Sequence, residues 1–255
     1  MSVPDSDLDE VFAPFLDLDL ISEVREPLKS GKEATVYRCR RGGGHGSGHD
    51  ELALKVYRPR SERSFKNDAL YREGSMLERI GGGNTRAARA LRTGTRFGRV
   101  VQELTWTARE WEVLSRLHGA GMSVPEPVHA SSSAVLMELF TDDDGAVAKP
   151  LIAARLSPEV ATALFSALCL DVERMLWLDV LHGDLSPYNV LWNGAAYRVI
   201  DFPQAVDPRF NGNALRLLER DLLNVGRFCA RFGPVPDPVA VASAMWQRFQ
   251  HGEPP

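Results

Sequence analysis

The amino-acid sequence predicts an α+β fold of two lobes, in which a small antiparallel sheet precedes a mainly helical region. Two stretches with alternating apolar residues, 35–38 and 51–57, follow one another closely, which is typical of antiparallel strands. A third, continuously apolar stretch at 134–140 runs into an acidic turn. After this turn, apolar residues recur at intervals of three and four, the spacing of helices with one buried face. We therefore expect the first lobe at 28–140 and the second at 141–255.

The composition is typical of a soluble globular protein. The 255 residues are 44% hydrophobic and 25% charged, with a formal net charge of −4. No apolar run approaches the roughly 18 residues that indicate a membrane-spanning helix, and the N-terminal residues are acidic, unlike those of a secretion signal. The three cysteines form no metal-binding pattern, and buried free thiols are typical of a reducing compartment. We expect a cytoplasmic protein that does not bind membranes.

Charge is distributed unevenly along the chain. Residues 1–27 contain eight acidic residues and one basic residue, and we expect them to form an acidic, loosely structured lead-in. The basic segment Arg58–Arg99 contains eleven basic residues and four acidic ones. We expect it to form a helix at 61–80 and then a flexible, Arg- and Gly-rich loop at 81–98. Such a segment allows an anionic partner, although a solvated helix face and a surface loop would have the same composition.

A glycine turn lies between two segments that are suited to strands. Residues 30–37 have the strand, turn and strand pattern that can cover nucleotide phosphates. They contain one glycine, Gly31, where such loops usually have three. An ordinary hairpin has the same pattern, so this stretch indicates a phosphate loop only in combination with the residues that follow it.

Lys55 lies within a strand that is otherwise suited to burial. A buried ammonium group is costly unless it is paired, and both a nucleotide phosphate and a helix carboxylate are candidate partners. Glu110, on a helix that we expect at 105–118 with Thr105 as its N-cap, is the preferred carboxylate, and Glu112 is the alternative. An edge strand with an outward-facing lysine is the other interpretation.

The strongest functional signal is the spacing of three polar residues between Leu181 and Asp201. Asp184 lies in a polar loop, Asn189 follows five residues later, and Asp201 comes directly after an apolar run. Phosphoryl transfer from ATP requires an Asp that orients or deprotonates the acceptor, together with an Asn and a second Asp that hold the metal. Each of these residues alone is a common turn residue. Together with Lys55, they predict an ATP-dependent phosphotransferase.

Two further residues are expected to support the site without touching a substrate. His182 precedes Asp184 and is expected to pack and to hydrogen-bond the loop backbone, which leaves proton handling to Asp184. Asp221 lies within an amphipathic helix expected at 213–232, where it is a candidate for bracing the catalytic loop.

Three stretches of the sequence resemble the RIO family of atypical protein kinases. They are His-Gly-Asp-Leu-Ser-Pro-Tyr-Asn at 182–189, Ile-Asp-Phe-Pro-Gln-Ala-Val at 200–206, and Ser-Gly-Lys-Glu-Ala-Thr-Val-Tyr at 30–37. The similarity extends from about residue 25 to about residue 232. The resemblance implies a bilobal protein-kinase-like fold with a glycine-poor phosphate loop and an Arg-rich flexible loop before the glutamate helix. It also implies that the activation segment and the peptide-binding subdomain are missing.

The resemblance also implies roles for individual residues. Those assigned to ATP binding lie in the phosphate loop, the lysine strand, the glutamate helix and the hinge: Ser30, Lys32, Val36, Lys55, Glu110, Met137, Glu138 and Phe140. Lys55 would contact the phosphates, Glu138 and Phe140 would present backbone groups to adenine, and Met137 would lie behind them. Asp184 would be the catalytic aspartate, with Asn189 and Asp201 as ligands of Mg2+ or Mn2+. The metal-binding aspartate of this family has been proposed to accept phosphate, so Asp201 has two candidate roles.

The sequence departs from both subfamilies that it resembles. We expect no N-terminal winged helix of the kind that one subfamily carries, because only residues 1–27 precede the phosphate loop. The Asp-Phe-Pro-Gln motif at 201–204 resembles that subfamily, whereas Gly-Lys-Glu-Ala-Thr-Val-Tyr at 31–37 resembles the other. These features favour a compact, stand-alone RIO domain of prokaryotic origin.

Three functions are compatible with these residues. The first is an ATP- and magnesium-dependent serine/threonine protein kinase or ATPase that phosphorylates itself or acts on a protein or a ribosome-related partner. The basic segment Arg58–Arg99 would suit a particle that contains RNA. The second is a small-molecule phosphotransferase of the aminoglycoside type, whose His-Gly-Asp and Ile-Asp-Phe motifs are similar. The third is a nucleotide-binding scaffold without turnover, which the intact Lys55, Asp184, Asn189 and Asp201 disfavour.

Overall fold

The computed structural model describes residues 5–43, 50–58 and 96–254, with side chains for 8–43, 50–58 and 107–254. The described chain forms two compact units that divide between Leu139 and Phe140, next to the boundary expected after residue 140. Residues 116–124 are an exception, since they precede this point in the chain but belong to the second unit.

The first unit contains a five-stranded antiparallel sheet with the strand order β1-β2-β3-β5-β4. Its strands are β1 (Ile21–Ser30), β2 (Ala34–Arg41), β3 (Glu51–Tyr57), β4 (Pro127–Ala130) and β5 (Ala134–Glu138). β3 is the central strand, and its residues at 52, 54 and 56 are buried on one face. The position of β3 excludes the edge strand that was the alternative explanation for Lys55.

The N-terminal region is not the loosely structured lead-in that its acidity suggested. It forms helix α1 (Asp5–Asp17) and the first strand of the sheet. Phe15 is completely buried against the apolar face of the sheet, where it joins Cys39, Leu52 and Leu54. The acidic residues misled the prediction because they lie among apolar residues that cover an otherwise exposed sheet face, and this burial stabilises the helix.

The helix that was expected at 105–118 is longer than predicted. It forms α2 (Arg96–Gly119), so that Thr105 lies inside the helix and does not cap it. A threonine is a frequent N-cap but does not by itself end a helix, and no proline or glycine pair interrupts the chain at that point. The helix predicted at 61–80 and the Arg-rich loop up to residue 95 lie outside the described residues.

The second unit combines helices with a small antiparallel sheet. Its helices are α3 (Pro158–Trp177), α4 (Ala214–Cys229) and α5 (Pro238–His251), and its strands are β6 (Lys149–Pro150), β7 (Val190–Trp192) and β8 (Tyr197–Val199). α3 begins at Pro158, because Ser157 Oγ accepts a hydrogen bond of 3.3 Å from the N–H of Val160 and Pro158 occupies the first turn.

Two hydrogen bonds explain why residues 116–124 belong to the second unit. The N–H of Val199 donates to the carbonyl of Ser123 at 2.7 Å, and Arg174 donates to the carbonyl of Ala120 at 2.9 Å. The turn after α2 is therefore attached to β8 and to α3.

No helix within the described ranges is both long enough and apolar enough to cross a membrane.

Candidate active site

Lys55 and Glu110 form a buried ion pair within the first unit. Lys55 Nζ lies 2.8 Å from Oε1 and 3.0 Å from Oε2 of Glu110, and the side chains are 12% and 3% exposed. Lys55 Nζ also lies 5.1 Å from the centre of the Tyr57 ring. Glu110 is thus the partner of Lys55, as expected, whereas the side chain of Glu112 is exposed. Both charges are desolvated, so each depends on the other.

The register of the sheet decides which predicted ATP-binding residues share a face with Lys55. Val36 is the cross-strand partner of Lys55, and Met137 is the partner of Ala53. Cross-strand partners lie on the same face, as do residues two apart in a strand. Val36 and Met137 therefore lie on the face of Lys55 and Glu110.

Ser30 and Lys32 are placed differently from the other predicted ATP-binding residues. Ser30 pairs with Thr35, which in turn pairs with Val56 of the opposite, core-facing side. The side chain of Ser30 therefore points away from the face of Lys55, so that a nucleotide contact of this residue is left to its backbone. Lys32 is exposed in the turn between β1 and β2.

The hinge stretch lies where the two units divide. Glu138 is buried, and its carboxylate accepts a hydrogen bond of 3.1 Å from the N–H of Glu126. Its own N–H donates to the carbonyl of Glu126 at 2.8 Å. The carbonyl of Phe140 accepts from the N–H of Ala148 at 2.9 Å, and its ring packs 4.5 Å from the Arg198 guanidinium. Both predicted hinge residues are therefore anchored through side chain and backbone.

In the second unit, the loop that contains Asp184 is held by side chains of α4. The buried Asp221 Oδ2 accepts a hydrogen bond of 2.8 Å from the N–H of Gly183, and Arg220 donates to the carbonyl of the same glycine. One turn later, Asn224 Nδ2 donates to the carbonyl of Leu185 at 3.1 Å. Gly183 has a φ of 79°, a conformation that glycine adopts without strain. α4 thus fixes the backbone on both sides of Asp184.

Asp221 was expected to brace this loop, but Arg220 and Asn224 were missed. All three belong to one stretch of α4 in which polar residues interrupt a run of buried leucines. The residues at 220 and 224 are four apart, and therefore lie on the same side of the helix. This interruption was the signal in the sequence that could have identified them.

His182 has the structural role that was expected from the sequence. The N–H of Asp184 donates to Nδ1 at 3.3 Å, and Nε2 lies 3.1 Å from the carbonyl of Ile200. Because the backbone N–H can only donate, we assign the proton of the ring to Nε2, which then donates to Ile200. The ring also packs against Phe202, with 4.9 Å between ring centres. His182 thereby connects the Asp184 loop to the residues around Asp201.

A short hairpin brings Asn189 and Asp201 together. β7 and β8 are antiparallel, with Val190 opposite Val199, and the N–H of Ile200 donates to the carbonyl of Asn189 at 3.0 Å. Asn189 Nδ2 donates to the carbonyl of Asp184 at 2.8 Å, a bond that does not use the amide oxygen. Asp201 has a φ of 75°, a strained conformation that is concentrated at functional sites.

The charges around Asp184 are closely coupled. Desolvation raises the pKa of Asp184, the charge of Asp201 raises it further, and Arg220 and the Asn189 side chain oppose this shift. Burial raises the pKa of Asp221 to about 8, against the effects of Arg220 and of the Gly183 N–H. The half-buried Arg220 is therefore a cation placed among carboxylates, while Asp184 remains accessible to solvent.

The donor set fits a hard cation that is shared with a nucleotide. Asn189 and Asp201 offer one amide oxygen and one carboxylate, and Mg2+ is usually bound by one or two carboxylates together with substrate phosphates. Within the described ranges, no group of three or more His, Cys, Asp or Glu side chains could hold a metal by itself. The residues therefore suit a metal that arrives with phosphate oxygens.

Comparison with known protein families decides which family this arrangement represents. A model of the RIO domain matches residues 35–241. The chain belongs to the RIO domain family. The match includes Lys55, Glu110 and the whole stretch from Asp184 to Asp201, and it confirms the resemblance seen in the sequence.

Similar proteins carry names of the RIO family. This RIO domain is 30% identical over 208 residues to the serine/threonine-protein kinase RIO1 of Caenorhabditis elegans. The alignment covers 81% of this chain and 37% of that protein. It is 30% identical over 216 residues to the Homo sapiens protein of the same name, covering 83% and 34%. The RIO-type serine/threonine-protein kinase Rio1 of Haloferax volcanii is 30% identical over 213 residues, covering 83% and 64%. The chain thus spans less than half the length of the first two relatives.

Solved structures confirm the fold of this RIO domain. A crystal structure of the Rio2 kinase from Chaetomium thermophilum has a TM-score of 0.65 at 21% identity, covering 94% of this chain and 69% of that chain. The crystal structure of the Rio2 kinase-ADP/Mg2+-phosphoaspartate complex from the same organism has a TM-score of 0.64 at 18% identity, covering 99% and 81%. The predicted kinase-like α+β fold is therefore correct.

Proposed function

We propose that this RIO domain is an ATP- and Mg2+-dependent serine/threonine protein kinase or ATPase that phosphorylates itself or a protein partner. The observation that carries the proposal is the clamped loop of the second unit, in which α4 fixes the backbone around Asp184 while the β7–β8 hairpin places Asn189 next to Asp201. Phosphoryl transfer depends mainly on positioning and on charge neutralisation, and a rigid loop with these residues supplies both.

Each residue has a defined task in this proposal. Asp184 is accessible and receives the proton of the acceptor hydroxyl, for which it must be ionised. Lys55, held by Glu110, orients the phosphates. Asn189 and Asp201 hold Mg2+ or Mn2+, which supplies neutralisation of the phosphate charge. We include a second role of Asp201, as an acceptor of phosphate. Its side chain is only half-buried, so that a phosphate group could reach it.

Further residues of the first unit and of the hinge stretch would take part in ATP recognition. On the sheet face of Lys55, Val36 and Met137 offer apolar side chains to the nucleotide. Within the described residues, the backbone N–H of Phe140 donates no hydrogen bond. This group is therefore a suitable donor to adenine. The backbone of Ser30 and the exposed Lys32 belong to the turn that would cover the phosphates.

The protein partner is proposed from the sequence. The basic segment Arg58–Arg99, with eleven basic and four acidic residues, would suit a ribosome-related particle or its RNA.

The buried, free thiols of Cys39, Cys169 and Cys229 support the expected cytoplasmic location, because unpaired thiols persist in reducing compartments.

The proposal is tested by incubating the purified chain with γ-labelled ATP and Mg2+, alone, with protein substrates and with aminoglycosides. We expect label on protein, and an Asp184→Ala variant should lose transfer by about a thousandfold while it still binds ATP. Asp201→Ala should also lose the metal-dependent part of ATP binding. Full turnover by Asp184→Ala would contradict the site assignment, and label on the aminoglycoside alone would contradict a protein kinase.

A further inference from the structure

Arg58 connects the end of β3 to the tip of the β1–β2 hairpin. Its guanidinium Nη2 donates to Ser30 Oγ at 2.6 Å and to Thr35 Oγ1 at 3.4 Å. Its backbone N–H donates to the carbonyl of Glu33 at 2.8 Å. Arg58, three positions after Lys55, is therefore bonded to the two strand residues that flank the turn, Ser30 and Thr35, and to Glu33 within the turn.

The guanidinium holds this tip from the side opposite to Lys55. Ser30 and Thr35 are cross-strand partners whose hydroxyls lie 3.3 Å apart, and Thr35 is paired with Val56 of the core face. Val36, the next residue, is paired with Lys55 on the other face. Arg58 thus reaches the loop from behind, whereas a nucleotide phosphate would approach from the face of Lys55.

The turn between β1 and β2 is short and exposed at its tip. Gly31 and Lys32 are exposed, and the turn is closed by the hydrogen bond of 2.9 Å from the N–H of Gly31 to the carbonyl of Ala34. The loop contains one glycine, which limits the backbone conformations that it can adopt. It can still move as a unit relative to the two strands that flank it. A charged, half-buried side chain bound to hydroxyls of both strands limits that motion.

We propose that Arg58 is a positioning residue that holds the phosphate-covering loop in its nucleotide-binding position without touching the nucleotide. This inference rests on the proposed function, since it concerns the same loop. When the loop is less often in the competent position, apparent affinity falls by that fraction. We expect the loss only for ligands that carry phosphates, because the proposed task of the loop is to cover the phosphates.

The experiment measures binding of ADP with Mg2+ and of adenosine to the full chain by calorimetry. Arg58→Met should weaken ADP binding about fivefold, the equivalent of one lost hydrogen bond, and leave adenosine binding unchanged. Arg58→Lys keeps one charged donor and should recover part of the affinity. Arg40→Met, which removes an exposed arginine from β2, is the matched control and should bind both ligands like the wild type.

A double-mutant cycle separates positioning from direct contact. Ser30→Ala/Thr35→Val removes the two hydroxyls and should weaken ADP binding as Arg58→Met does, and combining all three changes should add no further loss. A full additional loss in the triple variant would show that Arg58 binds phosphate directly and would overturn the proposal. Equal losses for ADP and adenosine would also overturn it. A wild-type chain that does not bind ADP would overturn the proposed function, whereas wild-type affinity in Arg58→Met would overturn the role of Arg58 alone.

Discussion

The lysine site of the first unit and the aspartate loop of the second unit are held in different ways. Lys55 is fixed by the sheet, but its charge is positioned by contacts between side chains, among them the ion pair with Glu110 on α2. Asp184 is positioned through its backbone, because Asp221, Arg220 and Asn224 of α4 bind the peptide groups on either side of it.

This difference has a physical consequence. An ion pair between two side chains can separate by rotation of those side chains while both backbones stay in place, so the position of the Lys55 ammonium group can change. Buried peptide groups must be hydrogen-bonded, so the aspartate loop cannot leave α4 without exposing or orphaning them. We therefore expect the lysine site to be adjustable and the aspartate loop to behave as a rigid part of the second unit.

The largest effect should follow when the clamp on the aspartate loop is removed. Asp221→Ala leaves the buried N–H of Gly183 without its acceptor, which costs about 1 to 3 kcal/mol of unfolding free energy. The displaced Asp184 should lower kcat about a hundredfold. Urea unfolding and ATP turnover measure the two effects. Glu219→Ala, the preceding acidic residue on the same helix, is the control, and a similar loss in this variant would show that the effect is not due to the clamp.

A smaller effect is expected at the lysine site. Glu110→Gln keeps the shape of the side chain and removes its charge, so the bond to Lys55 becomes weaker but is not lost. We expect kcat/KM for ATP to fall about tenfold, and thermal stability to fall as well, because the buried Lys55 loses its counter-charge. Glu112→Gln, at the exposed alternative position on α2, should behave like the wild type. If both variants lose activity equally, Glu110 has no special relation to Lys55.

A further prediction concerns pH. Burial raises the pKa of Asp221 from 3.8 to about 8, so the folded state binds this proton more tightly than the unfolded state. The stabilisation is complete below the unfolded pKa and is lost as pH rises through the folded pKa. The unfolding free energy of the wild type, relative to Asp221→Asn, should therefore decrease between about pH 4 and about pH 8. Parallel pH profiles of the two proteins would show that Asp221 does not titrate in this range.

Long-range contacts are the part of this protein that sequence patterns predicted least well. The acidity of residues 1–27 concealed α1, because the sequence does not show that Phe15 finds a buried place on the sheet. Arg58, Arg220 and Asn224 were also missed. Each acts on backbone or hydroxyl groups far along the chain or on another element, and neither propensity nor periodicity reports such partners.

The sequence by itself determined the fold class and the family, and it predicted the chemistry of the candidate residues. Their types and spacing reflect what phosphoryl transfer requires, and the strand around Lys55 demanded a partner, for which a helix carboxylate was the natural choice. Only the tertiary structure decided that Ser30 turns away from Lys55, that Arg220 and Asn224 join Asp221 in holding the loop of Asp184, and that Asp201 adopts a left-handed backbone. These features depend on strand register and on packing between distant segments, which local sequence does not specify.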